Sequence, residues 1–147
     1  MLHCDHDYLI LNKPFGLPVQ GGSKVTLHLD SLLKYLKFDK IEKPRLVHRL
    51  DKHTSGILVL ARNRESAKFL TECFFLKKIR KLYWAISVGV PSNAEGIIET
   101  RMGNVMRQNR ELASIDKANG KYSKTCYQIL DKTGSYASLV ALEPITG

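Results

Sequence analysis

The side chains best able to do chemistry are concentrated in residues 45–56, where Asp51 lies among cationic and imidazole groups. Arg49 and Lys52 are the nearest cations, and His48 and His53 lie within three residues of the carboxylate. Nearby positive charge keeps a carboxylate ionised, which suits a nucleophile or an electrostatic stabiliser better than a general acid. Local composition also allows a structural interpretation, in which Asp51 pairs with an arginine or caps a turn.

The spacing of the reactive residues does not match other known sites. His48 and His53 are five residues apart, not four as in the zinc-binding H-E-x-x-H helix, and Ser55 lacks the G-x-S-x-G nucleophile elbow. No Walker loop, dinucleotide fingerprint or EF-hand loop occurs. Two histidines and a cysteine within residues 3–6 are interpreted as an exposed, unliganded terminus. The sequence therefore predicts no metal site.

The composition is that of a small, strongly basic protein. The chain has 147 residues, with 23 Lys and Arg against 14 Asp and Glu and a net charge of +9, and its 44% hydrophobic content allows a core. This charge favours nucleic acid or an anionic membrane surface as a partner.

Three scattered cysteines indicate a reducing compartment. The longest apolar run, residues 57–61, is too short to span a bilayer and no secretory leader is found, so we expect a cytoplasmic protein.

The densest basic run covers residues 77–81 and contains Lys77, Lys78, Arg80 and Lys81. Such a run can follow a phosphate backbone, where neutralised phosphates release counterions and make the affinity depend on salt. Lysines are also favourable at the C-terminal end of a helix, so a solvated helix end is the alternative interpretation.

The first half of the chain is predicted to contain strands and two helices. Residues 8–11 and 55–61 are the predicted strands, and a proline- and glycine-rich turn over residues 12–18 follows the first of them. Thr26 is the predicted N-cap of one helix and Asn63 that of the other. The apolar faces of these helices consist of Leu29, Leu32, Leu33 and Leu36, and of Ala67, Leu70, Cys73 and Phe74.

The second half is predicted to be mainly β-structure. Strands are expected over residues 82–89, 97–100, 122–130 and 135–142, with a hairpin turn over residues 131–134. Residues 101–121 have many charges and no clean period, so we expect a loop there. The predicted fold class is α+β, with a mixed, mainly antiparallel sheet and flanking helices in one domain over residues 1–147.

The segment around Asp51 belongs to a longer pattern. Residues 48–56 read His-Arg-Leu-Asp-Lys-His-Thr-Ser-Gly, residues 12–17 contain an N-K-P-x-G-L motif, and residues 81–85 contain K-x-Y-x-A. Residues 120–127 read as G-K-x-x-x-T-x-Y, with Ser123 where alanine is more usual. Together these motifs resemble the RluA-type RNA pseudouridine synthases, whose signature is H-R-L-D-x-x-T-S-G.

The resemblance implies a fold, a reaction and a partner. The fold is that of a pseudouridine synthase catalytic domain. Members of the family convert chosen uridines in structured RNA to pseudouridine, breaking the glycosidic C1′–N1 bond and rejoining the base through C5. This isomerisation implies no metal and no redox cofactor. The implied partner is RNA, with large-subunit ribosomal RNA as the first candidate and transfer RNA as the alternative. We expect the protein to be a monomer.

By the same resemblance, Asp51 is the catalytic aspartate, which attacks the ribose, attacks the uracil ring or deprotonates the sugar. Arg49 enters the RNA stack and helps to hold the target nucleotide out, and Tyr83 stacks on the extruded uracil. His48 and Thr54 are assigned to support of the loop through hydrogen bonds.

Without the family pattern, Tyr83 is interpreted as an aromatic side chain on a sheet face, and Arg49 as an ion-pair partner of Asp51. Candidates for contacts with the RNA backbone are Lys13, Lys77, Lys78, Arg80 and Lys81.

The family pattern breaks off at residues 142–147, where it would continue through T-G-R-x-H-Q-I/L-R. The first arginine of that motif is expected to pair with the catalytic aspartate. The resemblance thus predicts a catalytic domain without its C-terminal part and without an N-terminal S4 domain, and with an exposed sheet edge at residues 135–142.

Two functions are consistent with these expectations: an RNA-modifying enzyme centred on Asp51, or a truncated relative that binds RNA without catalysis. A third, a nucleosidase, would need a second carboxylate near Asp51.

Overall fold

The structure, a computed structural model, describes residues 1–22, 26–107 and 110–146. The chain divides into two compact units, Met1–Ile79 and Arg80–Gly147. Within the described residues no helix is long and apolar enough to cross a bilayer.

The first unit is a four-stranded antiparallel sheet with helices. Its elements are β1 (His3–Cys4), β2 (Tyr8–Lys13), α1 (Leu29–Leu32) continued by a 3₁₀ turn (Leu33–Leu36), β3 (Arg45–Leu46), β4 (Gly56–Ala61) and α2 (Arg64–Phe75). The sheet has the order β1-β2-β4-β3, so the strand that precedes the Asp51 loop and the strand that follows it are neighbours.

The core of this unit is built on β2 and β4. Leu9 lies opposite Leu60 in the ladder, and both side chains are fully buried, as is Leu58. Leu29 and Leu33 are buried as well, so the apolar face predicted for the first helix does contribute to the core. Burial of each such leucine stabilises the fold by about 1.5–3 kcal/mol.

The first helix begins later than the sequence predicted. Its N-cap is His28, whose Nδ1 accepts from the amide of Ser31 at 3.3 Å, so the assignment of Thr26 as N-cap is wrong. The amides of Leu29 and Asp30 donate to the carbonyls of Pro18 and Val19. The amides that open the helix are thus bonded by the preceding loop, a tertiary contact that local capping rules do not include.

The second helix begins where the sequence predicted. Asn63 is its N-cap and accepts from the amide of Ser66 at 2.8 Å in a capping box. At the other end Lys77 has a φ of 55°, and the amides of Lys77 and Lys78 donate to the carbonyls of Phe74 and Cys73. These two bonds form a Schellman motif, which usually carries glycine at the position of Lys77.

The second unit is a five-stranded antiparallel sheet. Its strands are β5 (Tyr83–Val88), β6 (Glu95–Arg107), β7 (Arg110–Ile115), β8 (Lys121–Thr133) and β9 (Ala137–Pro144). Their order in the sheet is β5-β9-β8-β6-β7. The strands predicted over residues 82–89, 122–130 and 135–142 are confirmed. The final hairpin turn lies three residues later than predicted, because β8 continues through a bulge near Leu130.

The loop predicted over residues 101–121 is wrong for most of its length. Residues 101–107 belong to β6 and residues 110–115 to β7, which pair with each other, while residues 108 and 109 lie outside the described residues. β6 also pairs with β8, from Glu95–Gln128 to Met102–Lys121. The two strands of this ribbon are joined by backbone hydrogen bonds, so they form without the apolar alternation on which the strand prediction depends.

The predicted sheet edge is also wrong. β9 lies between β5 and β8, with Tyr83 opposite Leu142 and Tyr127 opposite Leu142 on the other side, so β9 is an interior strand. The edge strands are β5 and β7, and Trp84, Ile86 and Val88 of β5 are exposed. The order of strands in a sheet depends on pairing between distant segments, which an inspection of each strand by itself cannot supply.

Candidate active site

Asp51 lies exposed on the loop between β3 and β4. Leu50 is buried, whereas its neighbours Arg49 and Asp51 are exposed. The amide of Thr54 donates to the carbonyl of Asp51 at 3.1 Å, which closes a turn over residues 51–54. Leu50 anchors the loop in the core, and the turn fixes the direction of the backbone from which the Asp51 carboxylate projects.

Lys13 ties the Asp51 loop to the loop that follows β2. Its side chain is 1% exposed, and its Nζ donates to the carbonyls of Pro14 (3.0 Å), Leu17 (2.9 Å) and Lys52 (3.5 Å). Burial lowers the pKa of Lys13, and attraction to the Asp51 carboxylate offsets part of that effect. Contact with an RNA phosphate, the role predicted from the sequence, would require this ammonium to leave its three carbonyl acceptors.

His48 connects the start of the loop to β4 and α2. The amide of Val59 donates to Nε2 of His48 at 2.9 Å, so this nitrogen is the unprotonated one in that bond. The imidazole stacks on the ring of Phe74, with centroids 4.4 Å apart and 25° between the planes. The side chain is thereby fixed on both its edge and its face, three residues before Asp51.

Arg49 is exposed beside Asp51. Among the described residues of the first unit, Arg49 and Asp51 do not form an ion pair with each other. The ion pairs of this unit join other residues. They include Lys43–Asp30, Arg45–Glu42 and Arg62–Asp39.

The basic run of residues 77–81 is divided between the two units. Lys77 and Lys78 are exposed at the end of α2, in agreement with the alternative of a solvated helix end. Arg80 belongs to the second unit and forms a two-pronged ion pair with Glu143, at 2.7 and 2.8 Å. This pair raises the pKa of Arg80 and lowers that of Glu143.

Tyr83 and Lys81 also belong to the second unit. Tyr83 is the first residue of β5 and is half-buried on the face opposite to the exposed Trp84. Lys81 lies just before the strand and is likewise half-buried. The structure thus brings Lys13, His48, Arg49, Asp51 and Thr54 together in the first unit, and places Arg80, Lys81 and Tyr83 in the second.

Among the described residues no group of three or more His, Cys, Asp or Glu side chains is arranged to hold a metal ion.

One aromatic residue of this region was missed by the sequence reasoning. Phe15 is 68% exposed, and its ring lies 5.1 Å from that of His53, with 47° between the planes. The available signal was an aromatic side chain in a turn between Pro14 and Gly16, outside any strand or helix period that would bury it.

Comparison with known proteins identifies the fold and the family. The model of the family described as RNA pseudouridylate synthase matches residues 7–147. The chain belongs to this family. The solved human RNA pseudouridylate synthase domain containing 4 superposes with a TM-score of 0.82 at 34% identity, over 99% of this chain and 59% of the other. The resemblance seen in the sequence is confirmed, and so is the α+β fold class.

Curated relatives match along the whole chain. Ribosomal large subunit pseudouridine synthase C of Rickettsia prowazekii is 37% identical over 147 residues, which cover 100% of this chain and 48% of the relative. The mitochondrial pseudouridylate synthase RPUSD4 of Rattus norvegicus is 37% identical over 169 residues, covering 100% of this chain and 45% of the relative. The chain therefore spans about half the length of these relatives.

Proposed function

We propose that this chain isomerises uridine to pseudouridine in structured RNA, with Asp51 as the catalytic residue. The observation that carries the proposal is the exposed Asp51 carboxylate on a loop held by Leu50, Lys13 and His48, in a chain that belongs to the RNA pseudouridylate synthase family. Large-subunit ribosomal RNA is the proposed substrate, because that is the RNA named for the Rickettsia relative. The net charge of +9 supports a polyanionic substrate.

The chemistry needs a carboxylate that is ionised, accessible and fixed in direction. The glycosidic C1′–N1 bond breaks, the base turns and C5 bonds to C1′. The proton on C5 leaves to solvent, and N1 takes up a proton from solvent. Asp51 takes part by attacking the ribose, attacking the uracil ring or removing a proton from the sugar. Each route benefits from a preorganised anion, because no free energy is then spent on orienting it during the reaction.

We assign the remaining residues to RNA contact or to support. Arg49 is exposed next to Asp51, so its guanidinium is available to enter the stack and hold the target nucleotide out, at a cost of a few kcal/mol of unstacking that other contacts offset. Tyr83 stacks on the extruded uracil, and Lys77, Lys78, Arg80 and Lys81 contact the RNA backbone. Lys13, His48 and Thr54 support the loop from within the protein.

We also propose that the two compact units are parts of one catalytic domain acting as a monomer. The support for a single domain is that the family match runs through both units, from residue 7 to residue 147.

The test is release of tritium from C5-labelled uridine in large-subunit ribosomal RNA and transfer RNA transcripts. We expect release by the parent and a loss of about 10³-fold or more in Asp51→Asn. Asp131→Asn is the matched control, since it makes the same change at an exposed position of β8 and should retain the parent rate.

Two other outcomes would contradict the proposal. RNA binding without tritium release by a folded parent would make the chain an RNA-binding member of the family that does not catalyse. Free uracil among the products would indicate a nucleosidase instead.

A further inference from the structure

We propose that Phe15 and His53 form a platform on which an unpaired RNA base other than the target uridine stacks. This inference rests on the proposed function, because it concerns how the same RNA is held next to Asp51. It assigns a binding role to two residues whose side chains the family motifs do not specify: Phe15 is the x of N-K-P-x-G-L, and His53 is the second x of H-R-L-D-x-x-T-S-G.

The two rings come from different loops and meet at the protein surface. Phe15 lies in the loop after β2, and His53 lies in the turn of residues 51–54, two residues after Asp51. Their centroids are 5.1 Å apart with 47° between the planes, within the range of favourable aromatic pairs. Both side chains are exposed, so ring faces remain accessible to an incoming base.

The platform is rigid before RNA arrives. The amide of Gly16 donates to the carbonyl of Lys52 at 2.9 Å, which joins the two loops next to the rings. Lys13 holds the same two loops from within the protein, through the carbonyls of Pro14 and Lys52. Because the loops are already fixed, a stacked base gains contact without paying to order them.

The surroundings favour a nucleobase over an apolar partner. A single exposed phenylalanine is ordinary on a protein surface, but this one contacts an imidazole and adjoins a loop that carries exposed Arg49 and Lys52. Single-stranded nucleic acid is bound by aromatic side chains that stack on bases, accompanied by cations that contact phosphates. Asp51 is reserved for the target uridine, so the base on the platform is one that lies near the target in the folded RNA.

The first measurement is binding of the purified chain to a short fluorescein-labelled oligoadenylate and to an RNA duplex of the same length. Phe15→Leu is expected to weaken binding of the single strand about tenfold and to change binding of the duplex by less than about twofold, because duplex bases are not free to stack. Phe69→Leu is the matched control: it makes the same change at a 57% exposed position on α2, and should bind both RNAs as the parent does. Unfolding midpoints of both variants check that the fold is intact.

The second measurement reports the stack directly. Trp84 is the one tryptophan of the sequence, so Phe15→Trp in a Trp84→Phe background places a single indole on the platform. We expect oligoadenylate to quench its fluorescence and this variant to retain the affinity of the parent, since indole stacks at least as well as benzene. A role of Phe15 in folding alone would produce no quenching.

The outcomes separate this inference from the proposed function. Unchanged single-strand affinity in Phe15→Leu, together with no quenching of the indole in the Phe15→Trp variant, would overturn the platform, while tritium release by the parent would leave the proposed function standing. Equal weakening for single strand and duplex would also overturn it, because the effect would not depend on a free base. A parent that binds neither RNA would also overturn the platform, while the proposed function is decided by tritium release alone.

Discussion

At the scale of single residues, the main finding is how the backbone around Asp51 is held. One buried ammonium, one imidazole and one buried leucine hold a loop whose other side chains are more exposed. Lys13 was a candidate for contact with an RNA phosphate, whereas its ammonium bonds to backbone carbonyls of this protein. His48 was assigned to support of the loop, and its Nε2 accepts from the amide of Val59. The residue types were identified from the sequence, but the partners of their polar atoms became known only in the structure.

Lys13→Met tests whether Lys13 positions the loops or contacts phosphate. Removing the ammonium takes the Nζ donor from the carbonyls of Pro14 and Leu17, while the Lys52 carbonyl keeps its bond from the amide of Gly16. We therefore expect the free energy of unfolding to fall by about 1–3 kcal/mol. The rate of tritium release should fall as well, because the Asp51 loop loses its attachment. Denaturant unfolding and the tritium assay measure these effects.

The salt dependence of RNA binding distinguishes the two roles of Lys13. A positioning residue leaves the slope of log affinity against log salt unchanged, whereas loss of a phosphate contact lowers its magnitude by about one. Lys52→Met is the control for stability, since that side chain is exposed and should unfold as the parent does. A lower slope with unchanged stability in Lys13→Met would contradict the positioning role.

At the scale of elements, the sequence predicted helices and strands best where local chemistry alone determines their limits. Asn63 caps α2 through its own side chain, and the capping box needs nothing beyond residues 63–66. The start of α1 was wrong because its first amides bond to residues 18 and 19. The β6–β7 hairpin was missed because its pairing, not its periodicity, makes it a hairpin.

Lys77→Gly is expected to stabilise the first unit. Lys77 holds a left-handed φ of 55° in the Schellman motif that ends α2, a conformation that costs a residue with a Cβ about 1 kcal/mol. We expect the free energy of unfolding to rise by about 0.5–1 kcal/mol in denaturant titrations. Lys77→Ala, which removes the charge but keeps the Cβ, should show no such gain, and an equal gain in both variants would refute this explanation.

Asp5 makes the turn between β1 and β2 sensitive to acid. A hydrogen bond from His3, followed by the amides of Tyr8 and Asp7, lowers the pKa of Asp5 from 3.8 to about 2. Because the pKa is lower in the folded state, the carboxylate contributes stability at any pH above 3.8, and that contribution is lost as the pH falls toward 2. The difference in unfolding free energy between the parent and Asp5→Asn should therefore shrink over this interval. A difference that stays constant throughout would contradict the assignment.

At the scale of the whole molecule, the chain consists of two units, each built on an antiparallel sheet. The first has a leucine core and carries the Asp51 loop, while the second has a β5 edge whose apolar side chains face solvent. An unpaired strand edge with a row of apolar side chains is a template for pairing with another chain.

Ile86→Lys is expected to reduce self-association. Ile86 is 82% exposed at the centre of β5, so a charge there interrupts the apolar row with little change in stability, within about 0.5 kcal/mol. Light scattering across a concentration series measures the effect. Ile41→Lys, at a 93% exposed position outside the strands, adds the same charge and controls for solubility. Equal improvement in both variants would show that net charge, not the β5 edge, limits association.

The sequence by itself determined the family, the α+β class and the candidate aspartate, because these depend on residue types at short spacing. The H-R-L-D signature, the N-cap at Asn63 and the apolar strands over β2 and β4 are local patterns of this kind. Only the tertiary structure decided that Lys13 is buried on three carbonyls, that Phe15 meets His53, and that β9 lies inside its sheet. The Lys13–Lys52 bond, the Phe15–His53 contact and the pairing of β5 with β9 join residues far apart in the chain. Such contacts follow from how segments pack together rather than from the preferences of any one of them.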